Sequence, residues 1–186
     1  MIVANGTSYA VHGHAIVSDD DRIADETGVT PASLRFETDW QRFQAALDRA
    51  AVTVLGRLGH VANPNRRGRN RLVLSSAARG IERRRDAWWW NPAEAPLAEA
   101  LGQAAPEGGV VAVPGGRRVF DLFLNIGYDQ FDLARAHGVR IAHGVPVFSN
   151  IGPGMTADGQ LTAHGLRAAP AVPLEPGLSL TIWRKP

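Results

Sequence analysis

The sequence of 186 residues contains no cysteine. This absence excludes disulfide bonds, thiolate metal sites and a catalytic thiol, and we expect no metal ion. The excess of positive charge is also small, because 20 Lys and Arg residues stand against 18 Asp and Glu residues. A net charge of +2 is too low to indicate a polyanion-binding protein, so nucleic acid is not an expected partner.

Long hydrophobic runs are absent as well. No window approaches the roughly 18 apolar residues that a membrane-spanning helix needs, and the first residues contain no basic region followed by an apolar stretch. We therefore expect a soluble, cytoplasmic protein with no membrane partner. The length predicts one domain over residues 1–186, present as a monomer or a homodimer.

Short runs of apolar, often β-branched residues mark the strands. They occur at residues 10–11 and 15–17, 52–55, 72–74, 110–113 and 139–141. Several lack polar alternation, which is typical of strands buried on both faces in a mainly parallel sheet between helices. Residues 178–183 alternate cleanly, and with residues 160–167 and a proline-containing loop between them they predict a C-terminal antiparallel hairpin. The expected fold class is α/β with a mixed sheet.

Helical periodicity is clearest over residues 38–51, where Trp40, Phe43 and Leu47 fall on one stripe. Thr38 and Gln41 have the spacing of a capping box at its start. Two further helices are predicted, from residue 96 or 97 to 104 and from residue 118 to about 125.

Two strand ends lead directly into turns suited to a phosphate group. One is Gly56-Arg57, and the other is Gly115-Gly116 followed by Arg117 and Arg118. Glycine lets the backbone approach an anion, the next helix N-terminus directs amides at it, and arginine offers a planar fork. The alternative is that these glycines are ordinary turn residues.

Asp39 and Phe43 lie four residues apart at the start of the first long helix, and therefore on one face. An acid and an aromatic ring that point inward together could hold a flat heterocycle. Alternatively, Asp39 complements the helix dipole and Phe43 belongs to the core.

The order and spacing of these pieces resemble the dihydrofolate reductase family over roughly 110 residues. The matching segments are Asp39 with Phe43, Gly56-Arg57, Gly68-Arg69 leading to Ser75-Ser76, Gly115-Gly116 with residues 118–120, residues 131–133, and Gly144 to Phe148. The resemblance implies a single-domain, three-layer α/β fold. It also implies NADPH-dependent reduction of a 7,8-dihydropterin, with hydride delivered to C6 and a proton to N5.

The resemblance also assigns roles on the substrate side. Asp39 would be the catalytic acid, pairing with the 2-amino and N3 edge of the pterin and assisting protonation through water. Phe43 would pack on the pterin, and Arg69 would hold a substrate carboxylate. The remaining positions implied to line the pterin pocket are His14, Ala15 and Ile16 on the first long strand and Ala134.

On the cofactor side, the resemblance implies NADPH rather than NADH. Gly56, Arg57, Ser75 and Ser76 would bind the adenosine 2′-phosphate and the pyrophosphate. Gly115 and Gly116, which the family joins through a cis peptide, would lie beside the pyrophosphate and nicotinamide together with the residues that follow them, Arg117, Arg118, Val119 and Phe120.

The sequence departs from the family pattern at three places. Ala134 stands where a threonine usually bonds the catalytic acid, residues 25–36 lack the Pro-Trp pair of the loop over the nicotinamide, and Leu58-Gly59 replaces a hydroxyl-bearing residue. These departures keep other readings open. They are a dihydromethanopterin reductase, the pyrimidine reductase of riboflavin biosynthesis, and a non-catalytic protein that binds NADPH or a pterin.

Overall fold

The computed structural model describes residues 1–4 and 6–186. The helices and strands are, in chain order, β1 (Ile2–Ala4), β2 (Thr7–Val17), β3 (Arg22–Ala24), α1 (Glu37–Arg49), β4 (Val52–Gly56), α2 (Arg57–Ala62), β5 (Arg71–Leu74), β6 (Ile81–Arg83), β7 (Trp88–Trp90), α3 (Leu97–Ala104), β8 (Gly109–Gly115), α4 (Arg117–Ile126), β9 (Gln130–Ala136), β10 (Val145–Pro146), α5 (Ala157–Ala163), β11 (Arg167–Ala168), β12 (Val172–Glu175) and β13 (Leu178–Arg184). A short 3-10 helix at Ala32–Leu34 precedes α1.

One large mixed sheet organises the chain. Its strand order is β11-β13-β9-β2-β8-β4-β5-β7-β6, with β1 paired to β2 and β12 paired to β13. The six central strands are parallel to one another, in the order β9-β2-β8-β4-β5-β7. On either side of them the pairing is antiparallel, β13 with β9 and β6 with β7. The predicted α/β class, with a mainly parallel mixed sheet and a C-terminal antiparallel hairpin, is confirmed.

The sheet separates two layers of helices. Buried residues of α3, α4 and α5 join the main core on one face. There the rings of Phe120, Phe131 and Phe148 contact one another, and Tyr128 contacts both Phe131 and Phe123. On the other face His60 of α2 packs edge-on against Trp89, and α1 lies over β2. Because successive side chains of a strand point to opposite faces, His14 and Ile16 face α1 whereas Gly13 and Ala15 face the main core.

Three local predictions are wrong. Residues 139–141 form a loop after a left-handed glycine, Gly138 at φ 76°, and this loop is tied to the end of β2 by a bond from the Asp19 amide to the Val139 carbonyl. Residues 160–163 are helical, because Thr156 caps α5 by accepting from the Gly159 amide. Of the predicted first arm only Arg167 is in a strand, β11, which does pair antiparallel with β13. The strand that the last turn joins to β13 is β12, inside the predicted proline loop.

The third error concerns the start of α1. The helix begins at Glu37 after Phe36, and no side chain caps it. The Gln41 side chain donates to Glu37 instead of to a cap residue. The Thr38 amide is satisfied from outside the helix, because it donates to the Glu175 carboxylate at 3.1 Å. The hairpin of β12 and β13 thus anchors the N-terminus of α1.

Candidate active site between α1 and the sheet

Asp39 lies in the first turn of α1 and is half-buried. Among the residues that the structure describes, no side chain or amide donates a hydrogen bond to its carboxylate. Burial raises the pKa of Asp39 to about 6, the Arg42 guanidinium opposes this rise, and the carboxylates of Asp132 and Glu175 add to it. A carboxyl group with this pKa can hold or release a proton near neutral pH, which is the property that a general acid needs.

A buried carboxylate on β9, Asp132, lies next to this site. Arg42 of α1 donates to Asp132 Oδ2 at 2.6 Å, and Gln130 donates to Oδ1 at 2.7 Å. The Asp132 side chain is 7% exposed, so the guanidinium supplies the counter-charge that a buried carboxylate requires. The pair Arg42 and Asp132 therefore fixes α1 to the central strands beside Asp39.

His14 is the β2 residue directly opposite Asp132 in the sheet. Its ring is buried, contacts Phe43 edge-on at 6.4 Å between centroids, and lies 3.7 Å from the Asp132 carboxylate, too far for a hydrogen bond. Burial lowers the pKa of His14 to about 4, although Asp132 opposes this change. The imidazole is therefore neutral at physiological pH and can donate and accept one hydrogen bond each.

The predicted substrate residues divide into two groups. Asp39, Phe43 and His14 lie together between α1 and β2, and Ile16 packs at the edge of the same region against Phe36. Ala15 is on the opposite face, where it packs against the main core.

The structure puts Ala134 in an apolar contact rather than beside the acid. It is 1% exposed and packs with Leu178 and Leu180. The polar β9 residue near Asp39 is Asp132, two positions earlier. The sequence carried one signal for it, because a charged residue in the middle of a buried strand is uncommon.

Arg69 lies beside the C-terminal half of α1. Its Nε donates to Asp48 at 2.8 Å, and its Nη2 donates to the side-chain oxygen of Gln44 at 2.8 Å. Gln44 and Asp48 follow Phe43 in α1, so Phe43 lies between Asp39 and the position of Arg69 along the helix. A substrate carboxylate at Arg69 would have to share the guanidinium with Asp48.

The predicted cofactor residues meet at one edge of the sheet. They follow the carboxyl ends of three adjacent strands, β8, β4 and β5, which is where ligands bind in open α/β sheets. Gly56 ends β4 and Arg57 begins α2, Ser75 and Ser76 follow β5, and Gly115 and Gly116 precede α4.

The turn into α4 is the most open part of this edge. Gly115 has φ 124° and Gly116 has φ 34°, values that favour glycine, and a Cβ at Gly116 would meet no atom within 4 Å. The peptide between them is trans, whereas the resemblance implied cis, because the two left-handed glycines make the turn without it. The first amides of α4, at Arg117 and Arg118, have no partner within the helix and are free for an anion.

Individual side chains at this edge differ in access. Arg57, Ser76 and Arg118 are exposed, and Arg117 is half-buried. The Ser75 hydroxyl is buried and accepts from the Ala77 amide at 3.2 Å. Val119 and Phe120 belong to the main core, so only their backbone could face a cofactor.

Within residues 1–4 and 6–186, no three His, Asp or Glu side chains are grouped in a way that could hold a metal ion. In the same part of the chain, the helices are too short or too polar to cross a bilayer.

Comparison with known proteins supports the fold. No protein-family model and no curated sequence matches the chain. A protein of riboflavin biosynthesis from Shewanella sp. PV-4 has a similar structure, with a TM-score of 0.65, 17% identity, and coverage of 95% of this chain and 99% of that one. Dihydrofolate reductase from Enterococcus faecalis, solved with NADP(H) and RAB-propyl, gives a TM-score of 0.63, 16% identity, and coverage of 94% and 95%.

A third similar structure is the two-function deaminase and 5-amino-6-(5-phosphoribosylamino)uracil reductase of Thermotoga maritima. Its TM-score is 0.64 at 14% identity, and the match covers 95% of this chain but 56% of that one. At these identities the likeness establishes the fold alone. The chain has the dihydrofolate reductase fold, as the resemblance implied.

Proposed function

From the dihydrofolate reductase fold and the acid between α1 and the sheet, we propose that the chain is an NADPH-dependent reductase of a 7,8-dihydropterin. The observation that carries the proposal is the position of Asp39. Its carboxyl group has a raised pKa and accepts no hydrogen bond from the residues that the structure describes, and it lies one helical turn before Phe43. The substrate would be a dihydrofolate or a dihydromethanopterin, and the product its tetrahydro form.

Each group would have one task. Asp39 would bind the 2-amino and N3 edge of the pterin through two charge-assisted hydrogen bonds and supply the proton for N5 through water. NADPH supplies the hydride. His14, as a neutral imidazole in the floor of the site, would offer the substrate one further hydrogen bond. Arg42 and Asp132 would keep α1 in register with the strand that carries His14.

A pyrimidine reductase of the riboflavin-biosynthesis type is the second candidate. The observation that favours it is the adjacent pair of polar side chains on the strands beside Asp39, His14 and Asp132, since polar groups suit a ribosyl chain rich in hydroxyl groups. Two of the similar structures above also carry names from that pathway. A protein that binds NADPH or a pterin without turnover is the third reading.

The test is the loss of NADPH absorbance with purified protein and four substrates in parallel. These are dihydrofolate, dihydromethanopterin, a dihydropterin without glutamate, and a ribosylaminopyrimidine. We expect turnover with at least one of the first three. Turnover of the pyrimidine alone would replace the proposal with the second candidate, and NADPH binding without any turnover would leave the non-catalytic reading.

The same assay tests the cofactor assignment. Arg57 is exposed at the end of β4, and its planar guanidinium suits the 2′-phosphate that distinguishes NADPH from NADH. We expect Arg57→Gln to raise KM for NADPH about tenfold and to leave KM for NADH unchanged. Equal effects on the two cofactors would place the 2′-phosphate elsewhere.

A further inference from the structure

Positive charge is concentrated in one segment of the chain. Residues 57–86 contain nine of the 20 basic residues but two of the 18 acidic residues, so the rest of the chain is net acidic. Part of this charge, with Arg57, lies at the carboxyl ends of the strands, where we place the cofactor. Most of the rest lies at the opposite ends of the strands, and of these residues only Arg69 has an expected role in the proposed reaction.

A groove of about 420 Å³ opens at those opposite ends of the strands, beside the residues that precede β5 and β7. The residues that line it are Asn65, Gly68, Arg69, Asn70, Arg83, Arg85 and Asp86. Three arginines therefore line one groove. The Arg69 guanidinium is already bound by Asp48 and Gln44, which leaves those of Arg83 and Arg85 for a ligand. The groove is larger than a single phosphate group needs and falls within the range of small-ligand sites.

The walls of this groove are held in place by specific contacts. The Asn65 amide donates to the carbonyls of Arg69 at 2.7 Å and Asp86 at 3.1 Å, and its oxygen accepts from the Arg69 amide. These bonds join the loop before β5 to the loop before β7. Arg83 lies over the ring of Trp88 at 5.6 Å, so its side chain is also positioned.

The acidic groups nearby are already engaged. Asp86 is 3.1 Å from His60 Nε2, and Asp48, which binds Arg69, also binds Arg67. Among residues 1–4 and 6–186, no carboxylate lies within ion-pair distance of Arg83 or Arg85, so these two cations are free to bind an anion.

We propose that the groove lined by Arg83 and Arg85 is a second ligand site, which binds an oligophosphate chain at the opposite ends of the strands from the proposed cofactor residues. Arginine forks match the paired oxygens of phosphate groups, and several forks along one groove match successive phosphates. The ligand is either free oligophosphate or the phosphate chain of a nucleotide. The proposal does not rest on the reductase activity.

The test is calorimetric titration of the full chain with tripolyphosphate and, in a parallel arm, with a nucleoside triphosphate. Tryptophan fluorescence is followed as well, because Trp88 packs under Arg83. We expect saturable 1:1 binding, weakened at least about tenfold in Arg83→Gln/Arg85→Gln. The matched control is Arg140→Gln/Arg167→Gln, which removes the same charge from two exposed positions away from the groove and should bind as the unchanged chain does.

Comparing the two titrations distinguishes free oligophosphate from a nucleotide as the ligand. Tighter binding of the nucleoside triphosphate than of tripolyphosphate would mean that the base and sugar are also contacted. Equal weakening in the two double variants would show a diffuse charge effect and overturn the proposal. Displacement of tripolyphosphate by NADPH would also overturn it, because binding would then lie at the strand ends proposed for the cofactor. The absence of saturable binding would overturn it as well. Binding of an oligonucleotide without binding of tripolyphosphate would also contradict it.

Discussion

Replacing Asp39 by Asn is expected to slow NADPH-dependent turnover of the dihydropterin by about 100-fold to 10 000-fold, the range typical of a lost general acid. Asn keeps the shape of the side chain but cannot donate a proton or carry the charge that pairs with the amino edge of the pterin. The measurement is kcat/KM from the loss of NADPH absorbance. The Kd for NADPH should stay unchanged, since the residues proposed to bind the cofactor lie at other strand ends.

The matched control is Glu99→Gln, which neutralises an exposed acid in the first turn of α3. Its kcat/KM should equal that of the unchanged chain. If Asp39→Asn retains full activity with a substrate that the chain reduces, then Asp39 does not take part in proton transfer or substrate pairing, and the site must be sought elsewhere.

The same variant should be more stable at high pH, which separates loss of chemistry from loss of folding. The pKa of Asp39 is about 6 in the folded chain, above its ordinary value of 3.8. Between these two pH values the folded state binds more protons than the unfolded state, so this group's contribution to the free energy of unfolding falls as pH rises through the window.

Above pH 6 the Asp39 carboxylate is ionised in the folded chain, and its burial lowers the free energy of unfolding by the full amount. Below pH 4 the group is protonated in both states, and this destabilisation is absent. Because the side chain is half-buried and partly screened, we expect Asp39→Asn to raise the free energy of unfolding by about 1–2 kcal/mol at pH 8. At pH 4 we expect no gain from this effect. Denaturant unfolding at the two pH values measures the difference, and an equal change at both would mean that the Asp39 carboxylate is not destabilised by burial.

The central sheet could be predicted because its strands are continuous apolar runs. Residues 52–55, 72–74 and 110–113 each form a buried strand near the predicted limits. The same kind of signal gave a wrong prediction at residues 139–141, where only Val139 and Ile141 are apolar. A run this short becomes a strand only when the edge of a neighbouring strand is available to pair with it. Residues 160–163 were predicted as part of a strand but are helical. The residue that caps their helix, Thr156, lies outside the segment 160–167 from which the strand was predicted.

The site was predictable where its residues are close in sequence. Asp39 and Phe43 could be placed together because helix geometry brings residues four apart onto one face. Arg42 and Asp132 are in contact although they are 90 positions apart in the sequence. Whether such a contact forms depends on which residue of β9 lies opposite His14 of β2. The resemblance pointed to Ala134, which lies opposite Ile16, whereas the polar residue opposite His14 is Asp132. No local pattern fixes which residues of two distant strands lie opposite each other.

Replacing Gly13 by Ala is expected to lower the free energy of unfolding by about 3 kcal/mol or more, at the upper end of the effects of overpacking. Gly13 lies in the middle of β2, beneath the ring of Phe131. A Cβ at this position would overlap Phe131 Cδ2 and Cε2 and lie 2.9 Å from Tyr128 Cε1. Phe131 cannot move aside, because Phe120, Tyr128 and Phe148 surround it at centroid distances of 4.9–5.6 Å.

Gly59→Ala is the matched control for this change. Gly59 lies within α2, and a Cβ there would meet no atom within 4 Å. Since Ala is favoured over Gly inside a helix, this variant should be more stable by about 0.5–1 kcal/mol. Denaturant midpoints of the two variants should therefore move in opposite directions from that of the unchanged chain. A Gly13→Ala midpoint equal to that of the unchanged chain would mean that β9 can shift away from β2, and that the central parallel pair is less tightly packed than the structure indicates.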